Sequence, residues 1–159
     1  MNTATIDVDV VETLEVPSTK IEAAANLISA ATKWSVAASV IPVPTLDVLA
    51  VGAVQVNLVT DLAHLYGSTF KQESVKAVVS ALLGMLVPAG AASMVVKLVP
   101  GIGTIAGIIS LAGFSAAATY AIGKVFVAHF ENGGTLDNFS PEAVKADLQK
   151  EFKKAAKTS

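Results

Sequence analysis

Two polar side chains that could take part in chemistry stand three positions apart in an apolar stretch. Asp61 and His64 form an Asp-x-x-His pair, which superficially resembles the Glu-x-x-His unit of di-iron helical bundles. Such a centre needs a second unit, but the other histidine, His129, has Phe126 at the matching position. Helical spacing brings no second carboxylate beside Asp61 for acid–base catalysis. The sequence therefore predicts no metal centre, no catalytic residue and no cofactor.

A longer polar stripe includes this pair. At about 100° per residue, four polar side chains fall on one side of a helix over residues 46–66, while Gln55 lies apart from them. The four are Asp47, Asn57, Asp61 and His64. Polar groups inside a membrane usually face a bundle interior or water. The stripe fits an ion or proton path, but interhelical hydrogen bonds, with the last two residues near the interface, are favoured.

A glycine motif suggests a different chemistry. Gly101-x-Gly103-x-x-Ala106 fits the dinucleotide-binding fingerprint and follows a strand-like segment. A true site needs an acidic residue about 20 residues further on to hold the ribose. This chain has Ala-Ile-Gly-Lys-Val there, over residues 121–125, and no second strand or Walker lysine follows. The motif is better explained as a turn that leads into an apolar helix.

Small residues after that turn line one smooth face of a helix. They are Gly103, Gly107, Ser110, Gly113, Ala117 and Ala121. This is the small-xxx-small pattern that lets helix backbones approach closely in lipid. Rigid turns precede two of the apolar helices, at Pro42 and Pro44 and again at Pro100 and Gly101. The pattern predicts a helix-packing face and a homo-oligomer.

The composition indicates that these helices lie in a membrane. Of the 159 residues, 53% are hydrophobic and 15% are charged, against about 25% charged in ordinary globular domains. About 20 mostly apolar residues cross a bilayer, and segments 46–66, 77–96 and 103–123 qualify. A soluble bundle is the alternative, but it would have too little polar surface to cover three such helices.

The termini differ from this apolar centre. Residues 5–16 alternate between apolar and acidic side chains, which indicates either a short strand or an acidic tail. Thr19-x-x-Glu22 is a capping box that begins an N-terminal helix. The sequence divides into an acidic strand or tail at 1–17, a helical membrane domain at 18–134 and a Lys-rich amphipathic helix at 135–159.

The last helix begins at Ser140 and Pro141 and has a stripe of Val144, Leu148 and Phe152 among lysines. Such a helix could bind an anionic membrane surface or dock on its own domain. Every basic residue is Lys and none is Arg, which argues against base readout and a nucleic-acid partner. There is no cysteine, and the acidic N-terminus is no signal peptide. We therefore expect membrane entry through the internal apolar segments.

Three stretches resemble a known family. They are IPVPTLDVLAVGAVQVNLVTDLAHLYG, KLVPGIGTIAG and TYAIGKVFVAHFENGG, at residues 41–67, 97–107 and 119–134. They are similar to an uncharacterised bacterial membrane family that includes the YcjF-like inner-membrane proteins, over roughly residues 34–134. Some members have this domain behind a small GTPase domain. The resemblance implies the bacterial cytoplasmic membrane and a GTPase partner protein, but no catalytic residue.

Together these observations predict an all-α, membrane-embedded bundle or set of hairpins of about three apolar helices. An N-terminal helix and an amphipathic C-terminal helix flank it. The expected function is that of a non-enzymatic, self-associating protein that scaffolds or shapes the bacterial membrane. The alternatives are a small oligomeric channel or transporter, a membrane adaptor for a GTPase, and a soluble helical interaction domain.

Overall fold

The chain folds into helices that pack around a single apolar core. The computed structural model describes residues 19–39, 46–86 and 104–158, without the side chains of 46–51 and 104–111. Every regular element in these ranges is an α-helix. In chain order they are α1 (Lys20–Ala38), α2 (Leu46–Leu65), α3 (Gln72–Leu86), α4 (Thr104–Glu131) and α5 (Pro141–Ala156).

Two of the helices begin at side-chain caps that the sequence predicts. Before α1, the Thr19 hydroxyl accepts a hydrogen bond from the Glu22 amide at 3.2 Å. Before α5, the Ser140 hydroxyl accepts one from the Ala143 amide at 3.4 Å, and Pro141 occupies the first helical position. Each cap satisfies one of the amides that a helix N-terminus leaves without a partner.

Two helices end at the same glycine motif. After α2, Gly67 has a φ of 69° and the Ser68 amide donates to the Ala63 carbonyl at 2.8 Å. After α4, Gly133 has a φ of 78° and the Gly134 amide donates to the His129 carbonyl at 2.9 Å. This arrangement caps the last carbonyls and turns the chain sharply, and glycine is the residue that adopts it most readily.

The first four helices run antiparallel to their neighbours. At one end, Tyr66 donates a hydrogen bond to Glu131, so the end of α2 lies beside the end of α4. Lys20, at the start of α1, lies over the Tyr66 ring. A short turn then begins α3 at the same end. Ser35, near the end of α1, contacts Thr119 of α4. The bundle therefore has two distinct ends.

The core extends through all five helices. Its most enclosed large side chains include Phe126, Leu62, Leu82, Ile122 and Leu148. Leu148 is on the apolar stripe of α5, whose other members Val144 and Phe152 are partly buried. The Phe152 and Phe114 rings lie 5.3 Å apart between centroids. The C-terminal helix therefore docks on its own bundle, which was one of its two predicted placements.

The all-α prediction is confirmed, as are the flanking N-terminal and C-terminal helices, while membrane embedding is not. Among the described residues, no helix is both long and apolar enough to cross a bilayer. Of the segment expected at 77–96, residues 77–86 belong to α3, which begins at Gln72. Of the segment expected at 103–123, residues 104–123 belong to α4, which continues to Glu131. The predicted N-terminal strand lies outside the described residues.

Candidate functional site

Charge is unevenly distributed along the first four helices of the bundle. One end, called the charged end here, is where α1 and α3 begin and α2 and α4 finish. Its ionisable side chains include Lys20, Glu22, Asp61, His64, Lys71, Glu73, Lys76, Lys124 and Glu131. The opposite, uncharged end comprises residues 34–39, 46–60, 77–86 and 104–123. Asp47 is the only charged residue in these four ranges of the sequence.

Large apolar side chains are exposed on α1 where its charges stop. Lys33 is the last charged residue of the helix, and Trp34 directly after it is 68% exposed. Val36 is 39% exposed on the same last turns. A tryptophan this open is uncommon on a water-facing surface, whereas tryptophan is enriched where a protein crosses from water into lipid.

A buried polar cluster joins three helices next to this end. The hydroxyl oxygens of Ser35 and Thr119 lie 2.6 Å apart, and Gln55 Nε2 donates to Thr119 Oγ1 at 3.3 Å. One turn further along the chain, the Ser39 hydroxyl donates to the Ser35 carbonyl at 2.5 Å. These four side chains are buried. The cluster therefore fixes how α1, α2 and α4 align.

Some polar atoms beside this cluster have no partner among the described residues. They are Oε1 of Gln55 and Oγ of Ser115. Gln55 is fully buried and Ser115 is 1% exposed. An unpaired buried polar group costs about 1–3 kcal/mol of stability.

Polar contacts at the charged end are well paired. The Tyr66 hydroxyl donates to the Glu131 carboxylate, and its ring stacks on Phe130 with centroids 5.4 Å apart. Burial, reinforced by the Glu131 carboxylate, raises the pKa of Tyr66 to about 12. Lys20 Nζ lies 5.8 Å from the centre of the same ring. These contacts hold α1, α2 and α4 together.

His129 organises the turn between α4 and α5. Its Nε2 lies 2.9 Å from the Thr135 carbonyl and 3.0 Å from Asn138 Oδ1. Asn138 Oδ1 also accepts from the Thr135 amide at 2.8 Å. The imidazole contacts the Phe139 ring edge to face, at 4.9 Å between centroids. His129 therefore serves as a structural anchor for this turn.

The predicted polar stripe on α2 does not lie in the bundle interior. Asn57, Asp61 and His64 are all exposed, and His64 packs its ring 5.2 Å from that of Phe70. The side chain of Asp47 lies outside the described residues. Gln55, which lies apart from the stripe in the sequence, is buried instead. No group of three metal-binding side chains occurs in the described ranges.

The predicted packing face of α4 is divided between the core and an open surface. Ala117 and Ala121 are buried in the protein's own bundle, whereas Gly113 is half-buried and has open space where a side chain would project. The side chains at positions 107 and 110 and all of Gly103 lie outside the described residues. So do the predicted turns at Pro42, Pro44, Pro100 and Gly101.

Serine and threonine at helix-packing positions were the signal that the sequence interpretation missed. Ser115 and Thr119 stand four residues apart on the buried side of α4. Ser35 lies at the matching level of α1. In apolar helices, such hydroxyls often form bonds between helices, so these three could have been singled out beside Ser110.

Comparisons with known proteins identify a family and a relative of this chain. A family model described as a domain of unknown function (DUF697) matches residues 15–157. Magnetosome membrane protein 22 of Magnetospirillum gryphiswaldense is 40% identical over 135 residues, which cover 82% of this chain and 69% of that protein. No solved structure matches the chain. The match extends over nearly all of the sequence, and the chain therefore belongs to the DUF697 family, as the resemblance to an uncharacterised bacterial family predicts.

Proposed function

We propose that this protein is a non-enzymatic, self-associating membrane protein that enters a bacterial membrane with the uncharged end of its bundle. The observation that supports this most is the one-sided distribution of charge. Along α1 to α4, ionisable residues are concentrated at the charged end, whereas Asp47 alone carries charge within the uncharged stretches. Charged side chains are costly in hydrocarbon, so this polarity gives the bundle a preferred direction of insertion.

Trp34 supports the same orientation. Its indole is exposed one residue after Lys33, where the charges of α1 stop. A tryptophan ring is stabilised at the headgroup level because it has an apolar body and a polar N–H. The bilayer surface would then pass near the end of α1. Insertion from one side in this way requires no helix that crosses the membrane.

The comparison adds support on location. The relative from Magnetospirillum gryphiswaldense is named as a magnetosome membrane protein. We propose that the present chain is membrane-associated too, and that its site is the bacterial cytoplasmic membrane. Its role would be to scaffold or shape that membrane.

Gly113 supports self-association. A Cβ built at this glycine meets no atom within 4 Å, so the protein's own described helices leave this part of the face open. Small residues recur from here toward the start of α4, which would let a second copy approach closely. Several copies joined through this face would form an assembly that can deform a bilayer.

The single tryptophan provides a direct test of insertion. Purified protein is diluted from detergent into preformed vesicles, and Trp34 emission is recorded with quenchers attached at different depths of the lipid. We expect a blue shift and the strongest quenching near the headgroups. The proposal would be contradicted if Trp34 emission is unchanged with every vesicle and if alkaline extraction of cell membranes releases the protein into the supernatant.

Self-association is tested by the mass of the reconstituted particle. Gly113→Leu fills the open part of the α4 face, whereas Ala128→Leu adds a similar side chain at an exposed position near the charged end of the same helix. We expect Gly113→Leu to reduce the mass to that of a monomer and Ala128→Leu to leave it unchanged. A parent protein that is already monomeric and leaves vesicle shape unaltered would exclude the scaffold role.

A further inference from the structure

We infer that the outward face of α5 binds the phosphate-bearing headgroups of anionic lipids and thereby selects the lipid class. The inference rests on the proposed membrane association and adds a partner to it. The face is formed by Lys150, Lys153, Lys154 and Lys157, which we call the lysine face. All four side chains are exposed.

The docking of α5 determines which way the lysine face points. Leu148 is fully buried against the bundle, and Phe152 packs against Phe114 of α4. At about 100° per residue, the four lysines lie on the side opposite this apolar stripe. The stripe is already occupied by the protein's own core, so α5 cannot bind a membrane by inserting its apolar side. What it offers to a partner is positive charge.

That charge is not neutralised along the last turns of the helix. The acidic residues of α5 are Glu142, Asp147 and Glu151, and none follows them before the lysine face ends at Lys157. The negative end of the helix dipole offsets only part of the charge of three lysines.

The position of the lysine face fits the proposed depth of insertion. The Phe114–Phe152 contact places the last turns of α5 beside the uncharged stretch of α4. Lys33, next to Trp34, lies on α1, which makes no contact with α5. Lysines therefore stand on two sides of the bundle close to the uncharged end. Lipid headgroups around an inserted bundle would lie beside these lysines. Long lysine side chains can reach headgroup phosphates over several ångströms.

Lysine is suited to this partner. An ammonium is a compact point charge that binds phosphate without a fixed geometry, unlike the planar fork of Arg. Polybasic segments near a membrane bind acidic lipids through each charge separately. The binding should therefore depend on the number of lysines and on salt, and little on the identity of the acidic headgroup.

The test compares two charge-matched variants on two vesicle types. Lys153, Lys154 and Lys157 are changed to Gln in one variant, and Lys71, Lys76 and Lys124 at the charged end are changed to Gln in the other. Each is diluted from detergent into vesicles of phosphatidylcholine alone or with phosphatidylglycerol, then floated on a density gradient. All six side chains are exposed, so circular dichroism should show both variants folded.

We expect the parent protein and the charged-end variant to prefer the vesicles with phosphatidylglycerol, and added salt to weaken that preference. The lysine-face variant should lose this preference by roughly 100-fold in partition coefficient. Its residual binding to phosphatidylcholine should match that of the parent.

Three results would overturn the inference. Equal binding of the parent to both vesicle types, unaffected by either variant, would exclude lipid selection while leaving membrane association intact. If both variants lose the preference for anionic vesicles to the same extent, that preference comes from the net charge of the protein and not from the lysine face. Tight binding to heparin without any preference for anionic vesicles would assign the lysine face to a soluble polyanion. Absence of binding to every vesicle contradicts the proposed function itself.

Discussion

The hydroxyl oxygens of Ser35 and Thr119 lie 2.6 Å apart inside the bundle, although the two residues are 84 positions apart in the sequence. Thr119 also accepts a hydrogen bond from Gln55. One side chain therefore connects α1, α2 and α4. Because all three residues are buried, removing the Thr119 hydroxyl leaves polar atoms on two other helices without this partner.

We predict that Thr119→Val lowers the free energy of unfolding by about 2 kcal/mol, since valine keeps the shape but deletes the shared hydroxyl. Thr32→Val is the matched control, because the Thr32 hydroxyl donates to the Ile28 carbonyl of its own helix and is only partly buried. That change should cost less than about 0.5 kcal/mol. Urea unfolding followed by circular dichroism measures both, and equal losses would contradict a role for Thr119 across helices.

Gln55 illustrates what the sequence could and could not predict at this cluster. The helical period separates Gln55 from Asn57, Asp61 and His64, and this separation is present in the structure. The period does not say which side of the helix meets neighbours. The structure buries Gln55 and exposes the other three, because the packing partners of α2 come from distant parts of the chain.

Helix bounds show the same division between local and distant information. Caps at Thr19 and Ser140 are local patterns, and both were predicted correctly. The predicted bounds at residues 77 and 123 were set by the charged neighbours Lys76 and Lys124 instead of by helix ends. Charges such as Lys76 and Lys124 lie within α3 and α4, because a helix that leaves the apolar region can continue with its charged side chains in water.

Gly123 and Gly113 of α4 should respond in opposite ways to alanine. A Cβ at Gly123 would lie 2.6 Å from Ile28 Cγ1 and 3.3 Å from Leu58 Cδ2, whereas none is close at Gly113. Alanine favours a helix by about 1 kcal/mol over glycine. We predict that Gly113→Ala leaves stability unchanged or raises it by up to that amount. Gly123→Ala should lower it by about 1–3 kcal/mol through overpacking.

Ile28→Ala provides the second measurement for this contact. Combined with Gly123→Ala, it should cost less than the sum of the two single changes, because the Ile28 atoms that would collide with the new Cβ are gone. Urea unfolding of the four proteins completes this cycle. Strict additivity would show that α1 and α4 do not meet closely at this level.

The adjacent glycines after α4 should tolerate asparagine differently. Gly133 has a φ of 78° and open space around it, and asparagine adopts such a conformation more readily than most residues. A Cβ at Gly134 would instead lie 2.5 Å from two carbon atoms of the His129 ring. We predict that Gly133→Asn costs less than about 1 kcal/mol. Gly134→Asn should cost about 2 kcal/mol or more, as overpacking does elsewhere.

Thermal unfolding of both variants measures this difference. The nuclear magnetic resonance signals of the His129 ring provide an independent readout, since they should move in Gly134→Asn and stay in place in Gly133→Asn. If both variants are equally destabilised and the His129 ring signals do not move, then the His129 ring is not what disfavours a side chain at position 134.

Alkaline pH should weaken the charged end through Tyr66. Its pKa is about 12 in the folded protein and ordinarily near 10, so the unfolded chain releases this proton first as pH rises. The contribution of the Tyr66–Glu131 contact is therefore complete below pH 10 and decreases as the pH approaches 12.

We predict that Tyr66→Phe is less stable than the parent by about 1 kcal/mol at neutral pH, because it lacks this hydrogen bond. This difference in the free energy of unfolding between parent and variant should narrow between pH 10 and 12. Because the lysines titrate in both proteins, the difference reports on Tyr66 alone. A gap that stays constant or widens over that range would show that its hydroxyl is not held by the carboxylate.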